Sequence, residues 1–427
     1  MTAYHSSNPS DSSNQDSYVP VEVLIIGAGQ AGLAMSYCLK QRNISHILLE
    51  RGQIAQRWRS ESWDSLRLLT PNDQTNLPAW PYQGDQPEGF MPVSRYISLL
   101  EDYAQSFEAP ILTETAVELL SKSGQQFYIH SAAQRWAADA VVIATGHCCS
   151  PVVPEYSSRL NPEIHQITAG QYLNPGQIPE GGILVVGAGA SGVQIAEELR
   201  LSGREVMLSV GKHRRLPRRY RGKDILTWLK EAGIFDARTD SKDTRTDSRC
   251  VPNIPAPQLI GSEDAHSINL ETLYDQGVKL TGRIAAIDDF QVSFEDNLLA
   301  AVHQADQDMY ALLERIDQYI NGLMVDHSMN FHQVAPISVP PSPSSIDLKS
   351  AGIKTIIWAT GYRRSYPWLH IDVLDAQGEI KHQAGITAIP GLLVLGMRRQ
   401  IRYNSNFIDG VGKDAELLAD YLKKHLS

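Results

Sequence analysis

The 427-residue chain is 42% hydrophobic and 20% charged, the profile of a soluble globular protein large enough for two domains. A formal net charge of -10 argues against a general nucleic-acid binder, because sequence-independent affinity for phosphate backbones rests on surplus Lys and Arg. Four cysteines (Cys38, Cys148, Cys149, Cys250) and thirteen histidines show neither a disulfide framework nor metal-ligand spacing, so no metal is expected.

In chain order, residues 1–19 are polar, lack a basic start and an apolar core, and read as a disordered tail rather than a signal peptide. No later run approaches the roughly 18 apolar residues of a membrane helix, so a cytoplasmic protein with a small-molecule partner is expected. Val21 to Ile26 predicts a strand, GAGQAG a tight turn, Ala31 to Gln41 a helix, and HILLE a second strand ending in Glu50. The same order recurs at Gly182 to Val186, GAGASG and Ser191 to Leu201, followed by a strand from Glu205 to Val210. Buried strands ending in ATG also occur twice, as AVVIATG (Ala140 to Gly146) and TIIWATG (Thr355 to Gly361). Adjacent Cys148 and Cys149 follow the first of these without a CxxC pattern and read as structural. Polar, Pro-rich stretches at Asp236 to Pro257 and Ile337 to Ser345 read as long loops. Between them Met309, Leu312, Leu313, Ile316, Ile320 and Leu323 recur at helical spacing. They predict an amphipathic helix over residues 305–324 that packs on its own domain and would permit a homodimer.

Gly27, Gly29 and Gly32 fit GxGxxG with a strand before, a helix after and Glu50 about 20 residues on, the context that a dinucleotide-binding corner requires. The first glycine permits the tight turn, the second lets the backbone approach a pyrophosphate, and the third lets helix and strand pack closely. Gly187, Gly189 and Gly192 repeat the fingerprint, but no acid closes the second copy. Lys212, His213, Arg214, Arg215, Arg218 and Arg219 follow that strand instead. An acid there would repel a 2′-phosphate and a basic cluster would pair with it, so the second site is expected to prefer NADPH. Two dinucleotides on one chain imply electron transfer between them, and the protein-bound partner of a nicotinamide is a flavin. FAD is therefore expected in the first site. The expected fold is α/β, with two Rossmann-like dinucleotide-binding domains (FAD and NADPH), the second inserted into the first, and an additional partly helical insertion. Residues 20–150 and 346–427 would form the FAD-binding domain, and 151–345 the NADPH-binding domain with the insertion at about 220–340.

The succession GAGQAG, ERGQIAQRWR, LPAWPY, VVIATG, GAGASG, IIWATGY and FIDGVGKDA resembles the flavin-containing monooxygenases, which are class B flavoprotein monooxygenases. The likeness covers about residues 20–230 and 350–425. It is nearest to a bacterial branch labelled potassium-transport-related, and the chain is also similar to the plant indole-3-pyruvate monooxygenases. The resemblance implies an NADPH-dependent enzyme in which FAD forms a C4a-(hydro)peroxide with O2 and oxygenates a small organic substrate. N- or S-oxygenation, Baeyer-Villiger insertion and 2-oxoacid oxidation all use this machinery. The rivals are an NADPH:acceptor oxidoreductase or NADPH oxidase, and a nucleotide-sensing or transport-regulating flavoprotein.

Residue by residue, the resemblance assigns Gly27, Gly29, Gln30, Gly32 and Glu50 to the ADP part of FAD, and Arg51, Trp58 and Arg59 to the flavin's neighbourhood. It gives Gly187, Gly189, Ser191, Gly192, Arg214 and Arg215 to NADPH, and places Thr145, Gly146, Thr360 and Gly361 at the two ATG crossings. Asp409 and Gly410 would open a helix near the isoalloxazine, where the helix dipole favours negative charge on the reduced ring. Two departures stand out. The family's identifying stretch appears as QITAGQYLNP, with Tyr172 and Pro175 kept but Thr168 in place of histidine. The asparagine that supports the oxygen adduct in some members would fall near Leu69, and Asn72 is the nearest candidate. The loop Arg398 to Phe407 is dense in positive charge, so Arg398, Arg399 or Arg402 is expected to contact an anionic substrate.

Overall fold

The computed structural model describes residues 18–238, 256–323 and 334–427. Most of the expected tail and of the expected loop at 236–257 therefore lies outside the described residues.

The continuous β-branched runs are buried on both faces, as a parallel sheet requires. The chain opens with β1 (Val19–Ile26), α1 (Gln30–Lys40), β2 (His46–Leu49), α2 (Gln56–Ser60) and α3 (Val93–Ser106). It continues through β3 (Ile111–Leu112), the antiparallel hairpin β4 (Leu119–Ser123) and β5 (Gln126–His130), and β6 (Arg135–Ile143). β1 lies between β2 and β6, parallel to both, with Ile26 level with Leu49 and Ile143. The chain then crosses through β7 (Ser150–Pro151) to β8 (His165–Thr168), β9 (Gly182–Val186), α4 (Ala190–Leu201) and β10 (Val206–Ser209). A short hairpin of β11 (Arg219–Tyr220) and β12 (Lys223–Asp224) leads to α5 (Ile225–Glu231), and further on come α6 (Leu270–Asp275) and β13 (Lys279–Thr281). Next stand β14 (Ile284–Asp288), β15 (Gln291–Phe294), α7 (Leu298–Gly322), β16 (Ser345–Asp347) and β17 (Ile353–Trp358).

The second sheet has the order β13-β10-β9-β17-β8, all parallel, and β14, β15 and β16 form a separate antiparallel layer. The chain returns through β18 (Tyr362–Arg363), antiparallel to β7, so the two crossings form a two-stranded connection. β19 (His382–Gln383), β20 (Ile386–Thr387) and β21 (Leu392–Val394) complete the first sheet beside β6, and α8 (Ile408–His425) packs on α1. The second sheet is thus inserted between two parts of the first.

The amphipathic helix begins at Leu298, seven residues before the predicted start at 305. Its first turns carry Leu298 and Val302, which pack into the core around α4 and α6. Met309, Leu313, Ile316 and Ile320 pack instead with Trp228, Leu229 and Phe235 of the insertion. One helix therefore spans two cores, and the change of partner hid its first two turns from a search for a single stripe. Leu323 is exposed, outside that stripe.

Candidate active site

The two glycine corners are built alike. Gly27 and Gly187 have φ of +108° and +109°, and their N–H groups donate to Leu49 and Ser209 across the parallel ladder. A Cβ on Gly27 would stand 2.7 Å from the Ala144 carbonyl oxygen, and one on Gly187 2.5 Å from that of Ala359. The ATG strands thus serve as the backs of the two corners. A Cβ on Gly32 or Gly192 would lie 1.8 Å from the carbonyl oxygen of the first glycine of its own loop, so helix and loop touch without room for a side chain. Gly29 has nothing within 4 Å of its missing Cβ and Gly189 only the Ala256 oxygen at 3.8 Å, so the middle glycine of each loop faces open space at a helix N-terminus. Neither α1 nor α4 has a side-chain N-cap. Free backbone N–H groups beside a gap of this kind suit a pyrophosphate, and the residues present fit a dinucleotide at each corner.

The strand ends differ in charge. Glu50 is buried at the end of β2, accepting the Ala28 N–H at 2.8 Å on Oε2 and the Gly52 N–H at 3.2 Å on Oε1. Each oxygen keeps a further lone pair for a ribose hydroxyl. Beyond it Arg51, Gly52, Gln56, Ser60 and Glu114 line a cavity of about 330 Å³. Trp58 and Arg59 rest on α3, where Trp58 meets Tyr96 edge-on at 5.2 Å and Arg59 pairs with Glu101. Arg57 is the residue of α2 that faces the crossing, with its guanidinium 4.6 Å from the Tyr362 ring centroid. Burial, joined by the field of Arg398, Arg364 and Arg57, pushes His147 down to about 3.

At the second strand end the expected basic cluster is mostly spent within the protein. Arg215 is buried and ion-paired with Asp306 of α7, so it is not available to a phosphate. Arg218 is fully buried against Asp224 at 2.7 Å, and Arg219 pairs with Glu88 at 3.1 Å. Arg214 donates to the Tyr403 hydroxyl at 3.2 Å, reaching the far side of the cleft. Lys212 stays exposed where β10 ends. Arg283, just past β13, lays its stem 3.9 Å from the Gly211 Cβ position, a neighbour that only the strand order reveals.

Between the corners, Asn72 opens a single 3-10 turn, Asn72–Gln74. Its Nδ2 donates to the Gln86 carbonyl at 2.9 Å, while Asn72 Oδ1, Gln74 Oε1 and Thr75 Oγ are buried without a protein partner. Thr145 Oγ at the first ATG, Asn404 Oδ1 and Asp409 Oδ1 are in the same condition. Such orphaned atoms suit a polar heterocycle that would complete them. Gln30 donates to the Asn406 carbonyl at 3.4 Å, and a Cβ on Gly410 would stand 2.0 Å from the Asn404 oxygen, so α8 starts hard against this loop. Asp409 lies at the α8 N-terminus, pairs with Lys230 of α5 at 3.2 Å, and is raised by burial. Gly146 and Gly361 turn the crossings at φ of +76° and +91°, and Thr360 bonds the Val152 carbonyl. Ser191 sits in the first turn of α4, and Tyr172 of the divergent stretch is a buried donor to Glu198 at 3.0 Å.

The loop before α8 departs from its expected role. Arg402 bonds Asp414, itself fully buried and raised by burial, so its charge is committed to the protein rather than to a substrate. Arg398 neighbours Tyr403, Arg364 and Arg399 and is lowered chiefly by desolvation. Burial alone would raise the Tyr403 phenol, but Arg214 and Arg399 outweigh it and bring it below its ordinary value. Phe235 stacks on Tyr403 at 5.9 Å and meets Phe407 edge-on at 5.3 Å. Cys148 is raised by burial and keeps a protonated thiol. No disulfide joins Cys38, Cys148 or Cys149 among the described residues.

Residues 24–233 match the family model described as pyridine nucleotide-disulphide oxidoreductase. An uncharacterized oxidoreductase, CzcO-like, of Geobacillus kaustophilus is 34% identical over 408 residues, covering 95% of this chain and 99% of the relative. Indole-3-pyruvate monooxygenase YUCCA6 of Arabidopsis thaliana is 31% identical over 210 residues, 44% of this chain and 47% of its own length. The flavin-containing monooxygenase from Stenotrophomonas maltophilia superimposes with a TM-score of 0.66 at 18% identity, covering 96% of this chain and all of that one, a likeness of fold.

Proposed function

Because the chain belongs with the CzcO-like oxidoreductases, we propose that it is a flavin-containing monooxygenase, an NADPH-dependent FAD enzyme. It inserts one oxygen atom of O2 into a small organic substrate, by N- or S-oxygenation. The supporting observation is the pair of matched corners that differ in charge, with buried Glu50 closing the first strand and, in the second, apolar Val210 in its place followed by exposed Lys212. In balance, NADPH, a proton, O2 and substrate give NADP+, water and oxygenated substrate. FAD held at the first corner by Glu50 and the Gly27 to Gly32 loop would supply the two-electron carrier between the nicotinamide and oxygen.

The chain's residues bind and shield. Glu50 accepts ribose hydroxyls of FAD, and Lys212 pairs with the 2′-phosphate of NADPH. The α8 N-terminus favours negative charge on a ring placed beside it. Asn72 Oδ1, a buried acceptor without a protein partner, is the candidate to support the oxygen-reacting centre. The α5–α7 layer, with Phe235, Phe407 and Leu69 against it, excludes water from the cleft.

The test is rapid mixing of NADPH-reduced, flavin-loaded protein with O2, together with product mass across amines, sulfides and ketones. A delayed return of the oxidised flavin spectrum and a product heavier by one oxygen atom support the reading. Immediate release of hydrogen peroxide with every substrate identifies an oxidase, and bound flavin that NADPH cannot reduce identifies a non-catalytic flavoprotein.

A further inference from the structure

Matching carbonyls in the two glycine loops are satisfied in different ways. The Ala28 carbonyl of the first loop accepts a backbone N–H, that of Ala55, at 3.2 Å. The equivalent Ala188 carbonyl accepts a side chain, Nε2 of Gln258, at 3.0 Å. Gln258 rides on a strap, Ala256 to Leu259, laid across the second corner. The Ala256 oxygen is the atom 3.8 Å from the missing Cβ of Gly189. The Gln258 N–H donates to the Arg214 carbonyl at 2.7 Å, and Gln194 of α4 donates to the Leu259 carbonyl at 2.6 Å, so both sides of the corner hold the strap.

The amide of Gln258 is fully buried, and only its NH2 end can serve a carbonyl. That fixes the amide's orientation and leaves Oε1 as an acceptor without a protein partner, beside the second glycine loop. We propose that Gln258 is a cofactor-binding residue of the second corner, its Oε1 accepting a hydrogen bond from bound NADPH. This rests on reading that corner as the NADPH site. A pyrophosphate offers only acceptors at neutral pH, so the donor is a ribose hydroxyl, the adenine amino group or the nicotinamide carboxamide.

The experiment titrates FAD-loaded wild-type protein and Gln258→Met with NADP+ and with 2′,5′-ADP by calorimetry. The variant keeps the volume and loses both the Oε1 acceptor and the Nε2 donor to Ala188, so urea denaturation of both proteins accompanies the titration and the loss is read at matched stability. A loss of at least fivefold for both ligands places the donor on the adenosine half, and a loss for NADP+ alone places it on the nicotinamide half. Either supports the proposal, and affinities within twofold of wild type for both overturn it. Should the variant fail to fold, amide exchange on the wild type decides: saturating NADP+ must slow exchange across Ala256 to Leu259, and unchanged exchange there overturns the proposal. Wild-type protein that binds neither ligand overturns the site assignment itself, a result distinct from any effect of Gln258.

Discussion

Arg215 is buried against Asp306 of α7, and its other terminal nitrogen donates to the Ala335 carbonyl at 2.7 Å. The pair pins the end of β10 to the long helix. Removing one partner strands a charge in the core, which costs about 3–5 kcal/mol. Arg215→Ala and Asp306→Ala should each lower stability by that order in urea denaturation, while the ratio of NADPH to NADH turnover in the folded fraction stays at the wild-type value. A large change in cofactor preference for Arg215→Ala at unchanged stability would return this arginine to the phosphate site.

Lys212 then becomes the residue on which cofactor choice turns. It is exposed three residues past the end of β10, two beyond buried Val210, the residue that matches Glu50 of the first corner. Lys212→Glu should weaken NADP+ about tenfold or more, equivalent to roughly 1.4 kcal/mol, and leave NAD+ unaffected or improved. Calorimetric titration of both nucleotides checks this, and equal losses for the two would show that Lys212 acts on the fold instead.

Both corners were legible in the sequence because backbone geometry dictates them. Gly27 and Gly187 need positive φ, and Gly32 and Gly192 need the absence of a Cβ, so glycine is the residue that fits at each. The fate of the arginines was not legible. Whether Arg215 meets a phosphate or Asp306 depends on a helix about 90 residues away, which local pattern does not report. Arg402 was hidden in the same way, because its partner Asp414 lies on α8 and reads as an ordinary helix residue. Gln258 carried no signal at all, since an isolated glutamine in a Pro-rich stretch looks like loop.

The glycines themselves separate folding from binding. Gly29→Val places a side chain where no protein atom lies within 4 Å, so the protein should fold with near wild-type stability and come off the column without flavin. Gly32→Ala puts a methyl 1.8 Å from the Gly27 carbonyl oxygen, which forces α1 away from the sheet. That variant should be poorly soluble or lose several kcal/mol in chemical denaturation, as overpacked cores do. A yellow, flavin-retaining Gly29→Val protein would show that the pyrophosphate does not approach this glycine.

His266, seven residues beyond the strap, gives the segment that follows it a dependence on pH. Its Nε2 lies 3.1 Å from the Glu197 carboxylate of α4, and its Nδ1 lies 2.8 Å from Asp264 and 3.2 Å from the Ser262 hydroxyl. Burial works against the imidazolium, but the Asp264 hydrogen bond and the attraction of Glu197 outweigh it and raise the group above its ordinary 6.5. Hydrogen bonds from His266 and Ser262 hold Asp264 at about 2. A histidine raised on folding lends stability that is complete below its unfolded value and is lost as pH rises through the folded one. A lowered aspartate lends stability that is present above its unfolded value of 3.8 and is lost as pH falls toward about 2. The cluster is therefore tightest between about pH 4 and pH 6.5 and loosens on the alkaline side. The stability difference between wild type and His266→Gln, measured by urea denaturation, should be largest near pH 6 and should shrink by about pH 8. A difference that holds constant across that range would mean that folding does not raise the His266 imidazole, and that the ring contributes by packing alone.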